Sequence, residues 1–138
     1  MESITNATPS ISILLVEDED LTRELLADML GKKFPEVPLY TAINGRTALE
    51  LFKTLTPDIV ITDVNMPEMG GFQLAVNIRS IKPDTKLIVL TGCTGEAAMR
   101  DAVAKDFEFD HFIVKPVGLQ ELFTAVEQCV GSLALKQS

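Results

Sequence analysis

From Ile11 onward, five short apolar runs alternate with five stretches whose apolar residues recur at helical spacing. That rhythm constrains the fold more than any other feature of the chain. A strand that is apolar at consecutive positions has both faces buried, and helices between such strands supply the cover. The alternation predicts a doubly wound, five-stranded parallel sheet with helices on both faces, an α/β architecture. Strands are expected at about residues 11–16, 37–42, 58–62, 86–90 and 111–114. Helices are expected at about 20–32, 45–55, 71–80, 95–105 and 118–130. On the first helix Leu21, Leu25, Leu26, Met29 and Leu30 form the expected inward face; on the last, Leu119, Leu122, Phe123, Val126 and Val130 do. The second strand starts beside Pro38, which suits an edge position.

At 138 residues the chain has the length of one domain. Residues 1–10 read as a flexible N-terminal tail, 11–130 as the folded domain and 131–138 as a fraying C-terminal tail, with no room there for a helix-turn-helix output module. The net charge of -8 argues against a binder of nucleic acid or anionic membrane, because phosphate backbones are recognised by Lys and Arg. No apolar stretch is long enough to span a bilayer, and the polar start lacks the apolar core of a signal peptide. Cys93 and Cys129 are far apart and show no metal-type spacing, so reduced thiols and a cytoplasmic location are expected.

The chemistry sits at the ends of the apolar runs. Glu17 and Asp18 end the first, Asp63 the third, Thr91 the fourth and Lys115 the fifth. Open α/β sheets place ligands at the carboxyl ends of their strands, so these side chains are expected to share one mouth. Two unit charges ~4 Å apart repel by roughly 4 kcal/mol at an effective dielectric near 20. Three converging carboxylates therefore call for a cation, and oxygen ligands of this kind suit Mg²⁺, with Mn²⁺ as a substitute. The plainer reading, that residues 17–20 only cap the first helix, applies best to Glu19 and Asp20. A lone Thr91 would be a turn former and a lone Lys115 a solvated lysine. It is the placement of one group at each strand end that suggests phosphoryl transfer onto Asp63, with Lys115 and Thr91 meeting the phosphoryl oxygens.

Four segments in order carry a family resemblance: Ile13-Leu14-Leu15-Val16-Glu17-Asp18-Glu19, Pro57 through Asp63 to Gly71, Leu87-Ile88-Val89-Leu90-Thr91-Gly92, and Ile113-Val114-Lys115-Pro116. They resemble the receiver domain of two-component response regulators, the CheY-like family, over about residues 11–130. The resemblance implies a flavodoxin-like fold with five helices and strand order 2-1-3-4-5. It implies that Asp63 is the phosphoacceptor and that Glu17, Asp18, Asp63 and the backbone carbonyl of Asn65 hold the metal. Thr91 then matches the switch hydroxyl, Lys115 the family's lysine and Phe112 the switch aromatic. The Lys115–Pro116 bond is expected to be cis. The implied donor is a histidine kinase or a histidine phosphotransfer protein, and the implied output is a contact with a downstream protein through the face of the fourth predicted helix, fifth strand and fifth helix. Such a protein catalyses its own phosphorylation and dephosphorylation and does not turn over external substrates.

Three positions depart from the family pattern. Glu108-Phe109 stands where a small pair is usual, and Phe109 is expected to crowd the 95–105 region. His111, the only histidine, is read as a surface or packing residue. Cys93 and Asn65 stand where the family tunes phosphate lifetime, and neither is a strong acid or base. A stand-alone regulator or phosphorelay intermediate is the leading expectation, and a receiver cut from a hybrid kinase or larger regulator the alternative. An Asp-nucleophile phosphatase is remote, since Asn65 stands where its second acid belongs. An FMN carrier is disfavoured because Glu17 through Asp20 would repel the cofactor's phosphate.

Overall fold

The computed structural model describes residues 11–64, 66, 69–92 and 108–137, with side chains as far as residue 135. In chain order the elements are β1 (Ile13–Val16), α1 (Asp20–Lys33), β2 (Leu39–Ala42), α2 (Gly45–Leu55), β3 (Ile59–Asp63), α3 (Gly71–Ile81), β4 (Lys86–Thr91), β5 (His111–Val114) and α4 (Leu119–Gln137). The helix expected at 95–105 lies outside the described residues. The five strands form one parallel sheet in the order β2-β1-β3-β4-β5, the doubly wound order expected. β2 lies at an edge, as Pro38 suggests.

Successive strand residues point to opposite faces, and the two cores follow that alternation. On one face Ile13, Leu15, Ile59, Ile61, Ile88 and Leu90 pack against Leu26 and Leu30 of α1 and Leu122, Val126 and Cys129 of α4. On the other, Leu14, Val16, Val60 and Leu87 pack against Ala48 and Phe52 of α2 and Leu74, Ala75 and Ile78 of α3. Every residue of β1 and β3 is buried, which is why those runs read as continuously apolar. Cys129 is a free cysteine inside the first core; burial, and then the charge of Asp110, push its thiol up to about 12, so it stays a protonated packing group.

Two expectations are corrected. Leu21 and Leu25 are not inward: they are 78% and 58% exposed. The five apolar positions of α1 cover roughly half the helix circumference, more than one contact face needs, and the helix is turned so that Leu26 and Leu30 meet the sheet. The chain also does not fray after Gly131. α4 runs to Gln137 because Leu133 continues the buried stripe of Leu122, Val126 and Cys129. A Cβ at Gly131 would meet nothing within 4 Å, so this glycine costs helix propensity (~1 kcal/mol) without disturbing packing.

At the other boundaries the shifts are small. β1 begins at Ile13 although Ile11 is buried beside it, and β4 extends to Thr91, which brings that hydroxyl-bearing residue onto the last rung of the sheet. α2 starts at Gly45 because the Asn44 side chain accepts a hydrogen bond from the Thr47 N–H at 2.8 Å.

Candidate functional site

The register brings the strand ends together. Val16 pairs with Thr62, so Glu17 follows level with Asp63, which itself pairs with Leu90. Thr91 pairs with Val114, and Lys115 comes one step later. The Lys115 N–H donates to the Thr91 carbonyl at 2.7 Å, which continues the β4–β5 ladder past the last residue of β5. Thr91 is buried at this point.

Asp63 is only 4% exposed, and its Oδ2 accepts a hydrogen bond from Lys115 Nζ at 2.7 Å. The same ammonium lies 3.6 Å from Oε1 of Glu17, close enough for an ion pair and too long for a hydrogen bond. Carboxylate oxygens of Glu17, Asp18 and Asp63 all lie within 4.8 Å of one another, with Asp18 exposed and the other two buried. Three acids thus gather beside the Lys115 ammonium.

The strain of that arrangement shows on Glu17. Its Oε2 accepts the Glu19 N–H at 3.1 Å, while its buried Oε1 has no hydrogen-bond partner among the described residues. Burial pushes its carboxyl above the usual range, and the charge of Asp63 and a hydrogen bond with Asp18 add to that; the Glu19 N–H and Lys115 oppose it. For Lys115, burial pulls downward, but the hydrogen bond and charge of Asp63, with the charge of Glu17, outweigh it, so the ammonium is held above its usual range. A buried carboxylate oxygen that, among the described residues, has an ion pair but no hydrogen bond, beside two more carboxylates, fits a hard divalent cation, which takes oxygen ligands.

A glycine sets how close the next element comes. A Cβ at Gly71 would lie 2.3 Å from the Asp63 carbonyl oxygen and 2.9 Å from Cα of Val64. The Gly71 N–H donates to the Val64 carbonyl at 2.9 Å, so α3 begins against the backbone of Asp63 and Val64. The sequence carried a signal for this in the Gly70-Gly71 pair.

The remaining expected residues divide. The Lys115–Pro116 peptide is cis. Phe112 is half-buried on β5, its ring edge-on to Phe109 at 6.0 Å; Phe109 is in turn edge-on to Phe72 at 6.2 Å. Phe109 therefore joins an aromatic row between α3 and β5, and the crowding of 95–105 expected from it lies outside the described residues. His111 is half-buried in register with Ile88. Asn65 and Cys93 lie outside the described residues. Sequence reasoning missed Arg23, whose guanidinium reaches back to the Glu17 carbonyl.

The family model for the response regulator receiver domain matches residues 13–127. The chain belongs to the response regulator receiver domain family.

Among relatives of this receiver domain, the chemotaxis protein CheY of Thermotoga maritima is 40% identical over 107 residues, 75% of this chain and 84% of that protein. The regulatory protein AtoC of Escherichia coli is 34% identical over 125 residues; they are 91% of this chain but only 26% of AtoC. Among solved structures, a two component transcriptional regulator AraC from Clostridium phytofermentans superposes with a TM-score of 0.83 at 28% identity, over 94% of this chain and 99% of that one. Receiver domains of two-component systems take phosphate from histidine kinases. Among the described residues no helix is long and apolar enough to cross a membrane.

Proposed function

We propose that this receiver domain accepts a phosphoryl group on Asp63 and uses the modified carboxylate as a switch. The observation that carries the reading is the buried Asp63 carboxylate, held 2.7 Å from Lys115 Nζ with two further carboxylates alongside. An Asp63 oxygen attacks phosphorus, the new O–P bond forms, and the bond from phosphorus to the donor's histidine nitrogen breaks. Lys115 is placed to keep its positive charge through that step, and it passes from the carboxylate to the oxygens of the transferred group. Thr91, at the last rung of β4, supplies a hydroxyl donor next to the same group. When bound, Mg²⁺ (or Mn²⁺) supplies compensating charge to the phosphoryl oxygens. Glu17, Asp18 and Asp63 would hold it, with the carbonyl of Asn65 as the ligand that the family resemblance implies.

Phosphorylation adds roughly -1.5 to -2 charges at one end of the sheet. Thr91 turning toward that charge leaves space into which Phe112 moves, and the face carrying β5 and α4 changes its population of states. The chain acts on itself and is not a turnover enzyme on external substrates. Its donor is a histidine kinase or a histidine phosphotransfer protein in the cytoplasm, and its output is a contact with a downstream protein rather than with nucleic acid. The similarity to CheY favours a receiver that works alone or within a phosphorelay; the similarity to a quarter of AtoC keeps a larger regulator as the alternative.

Radiolabelled phosphohistidine on a panel of phosphotransfer proteins tests this. Label is expected to move to the wild-type chain with Mg²⁺ and to stay on the donor with EDTA or with Asp63→Asn. Label that reaches the Asp63→Asn chain equally well overturns the assignment.

A further inference from the structure

We infer that Arg23 is a positioning residue for the metal-binding loop, a clasp that closes residues 17–20 into the shape that presents Glu17 and Asp18; this rests on the reading of Glu17, Asp18 and Asp63 as the cation site. Its guanidinium donates through one nitrogen to the Glu17 carbonyl at 3.0 Å and through another to Asp20 Oδ1 at 2.6 Å. The two acceptors flank Asp18 and Glu19, so one side chain bridges the loop from its first residue to its last. The Arg23 side chain is 15% exposed, against 78% for Asp20. The arginine therefore lies against the loop rather than waving from it.

The loop needs such a fastening. Glu17, Asp18, Glu19 and Asp20 are four consecutive acids that repel one another. The N-cap residue of α1, Glu19, makes no side-chain bond to the helix backbone; its carboxylate is engaged instead by the Thr22 hydroxyl. The usual device for fixing a helix entry is thus absent, and Arg23, in the first turns of α1, takes its place from behind. Its own backbone N–H also donates to the Glu19 carbonyl at 2.9 Å. A planar fork can hold two acceptors at once, and an ammonium holds them less well.

This role has an unusual sign. If Arg23 acted only as a charge, removing it would strengthen binding of a cation, because one positive group would be lost near three acids. If it acts by holding the loop, removing it weakens cation binding although the site becomes more negative. Replacing groups that orient metal ligands weakens affinity by about tenfold or more.

Mg²⁺ titration calorimetry on the full chain, with wild type, Arg23→Gln and Arg23→Lys, decides between them. We expect both variants to bind Mg²⁺ about tenfold more weakly, the lysine included despite its charge. In the metal-free protein the Glu19 amide, held by Glu17 Oε2, should exchange its hydrogen faster in both variants, while the β1 amides keep wild-type protection. Affinity that is unchanged or tighter in Arg23→Gln, or wild-type affinity in Arg23→Lys, overturns the clasp. So does a general loss of protection or of cooperative unfolding in both variants, which would make Arg23 a residue of the fold. Absence of Mg²⁺ binding by the wild type fails the cation-site reading itself and takes the clasp with it.

Discussion

Lys115 Nζ and Asp63 Oδ2 meet at 2.7 Å although 52 residues separate them in the chain. Their strands, β3 and β5, are not neighbours; β4 lies between them, and Lys115 reaches across it from one step beyond β5. The contact couples a cation at the acid cluster to the residue proposed to take the phosphoryl group. Lys115→Gln should therefore slow phosphorylation by a small acyl phosphate by about 100-fold, the size of loss seen when a fixed transition-state donor is removed. Mg²⁺ affinity should hold or rise, since a positive charge is lost. Stopped-flow rates and calorimetry measure the two effects; a parallel fall in both would mean that Lys115 serves to build the metal site instead.

Glu17 gives a pH signature to the metal-free protein. Its carboxyl is raised above the ordinary 4.5, chiefly by burial. In the window between 4.5 and the raised value the folded chain keeps a proton that the unfolded chain has released, so stability falls as pH rises. Lys115 works at the opposite end: its contribution is whole below 10.5 and is lost as pH rises through its higher folded value. Urea titrations in EDTA from about pH 4 to about pH 8 should show wild type losing stability relative to Glu17→Gln across the acid window, then running parallel to it. Curves that run parallel throughout would contradict the buried, poorly satisfied carboxylate.

The rotation of α1 predicts unequal costs for two leucines. Leu30 is buried in the first core and Leu21 is 78% exposed. Leu30→Ala should destabilise by about 2–5 kcal/mol, through lost burial plus a cavity. Leu21→Ala should stay within about 0.5 kcal/mol. Equal losses in denaturant titrations would return Leu21 to the inward face.

Gly71→Ala tests the close approach of α3. A Cβ 2.3 Å from the Asp63 carbonyl has no room, so the helix start or the end of β3 must move. The thermal midpoint and the rate of phosphorylation should fall together. Gly131→Ala, with open space around the new Cβ, should raise the midpoint slightly through helix propensity alone.

Much of this was readable in the sequence because a parallel sheet makes strand ends special. Once Asp63, Thr91 and Lys115 each end an apolar run, the sheet has only one edge on which to gather them. The parallel sheet followed from the rhythm, and the strand order from the resemblance alone. What the sequence hid depends on rotation and reach. Periodicity cannot say which part of a wide apolar arc on α1 meets the sheet, so it does not separate exposed Leu21 and Leu25 from buried Leu26 and Leu30. Gly131 looked like a stop because its cost is local, while the burial of Leu133 that overrides it is tertiary. Arg23 has a pattern typical of a solvated helix face, and its bond to a backbone carbonyl leaves no mark in composition. Phe109 stood out as bulky, but its seat between Phe72 and Phe112 required coordinates.

The most direct measurement is the intact mass of the protein after incubation with Mg²⁺ and a small acyl phosphate, for wild type beside Asp63→Asn. The account predicts a gain of one phosphoryl group in the wild type, lost with EDTA and absent from the variant. An equal gain in both proteins, or none in the wild type with acyl phosphates and histidine kinases alike, would contradict it.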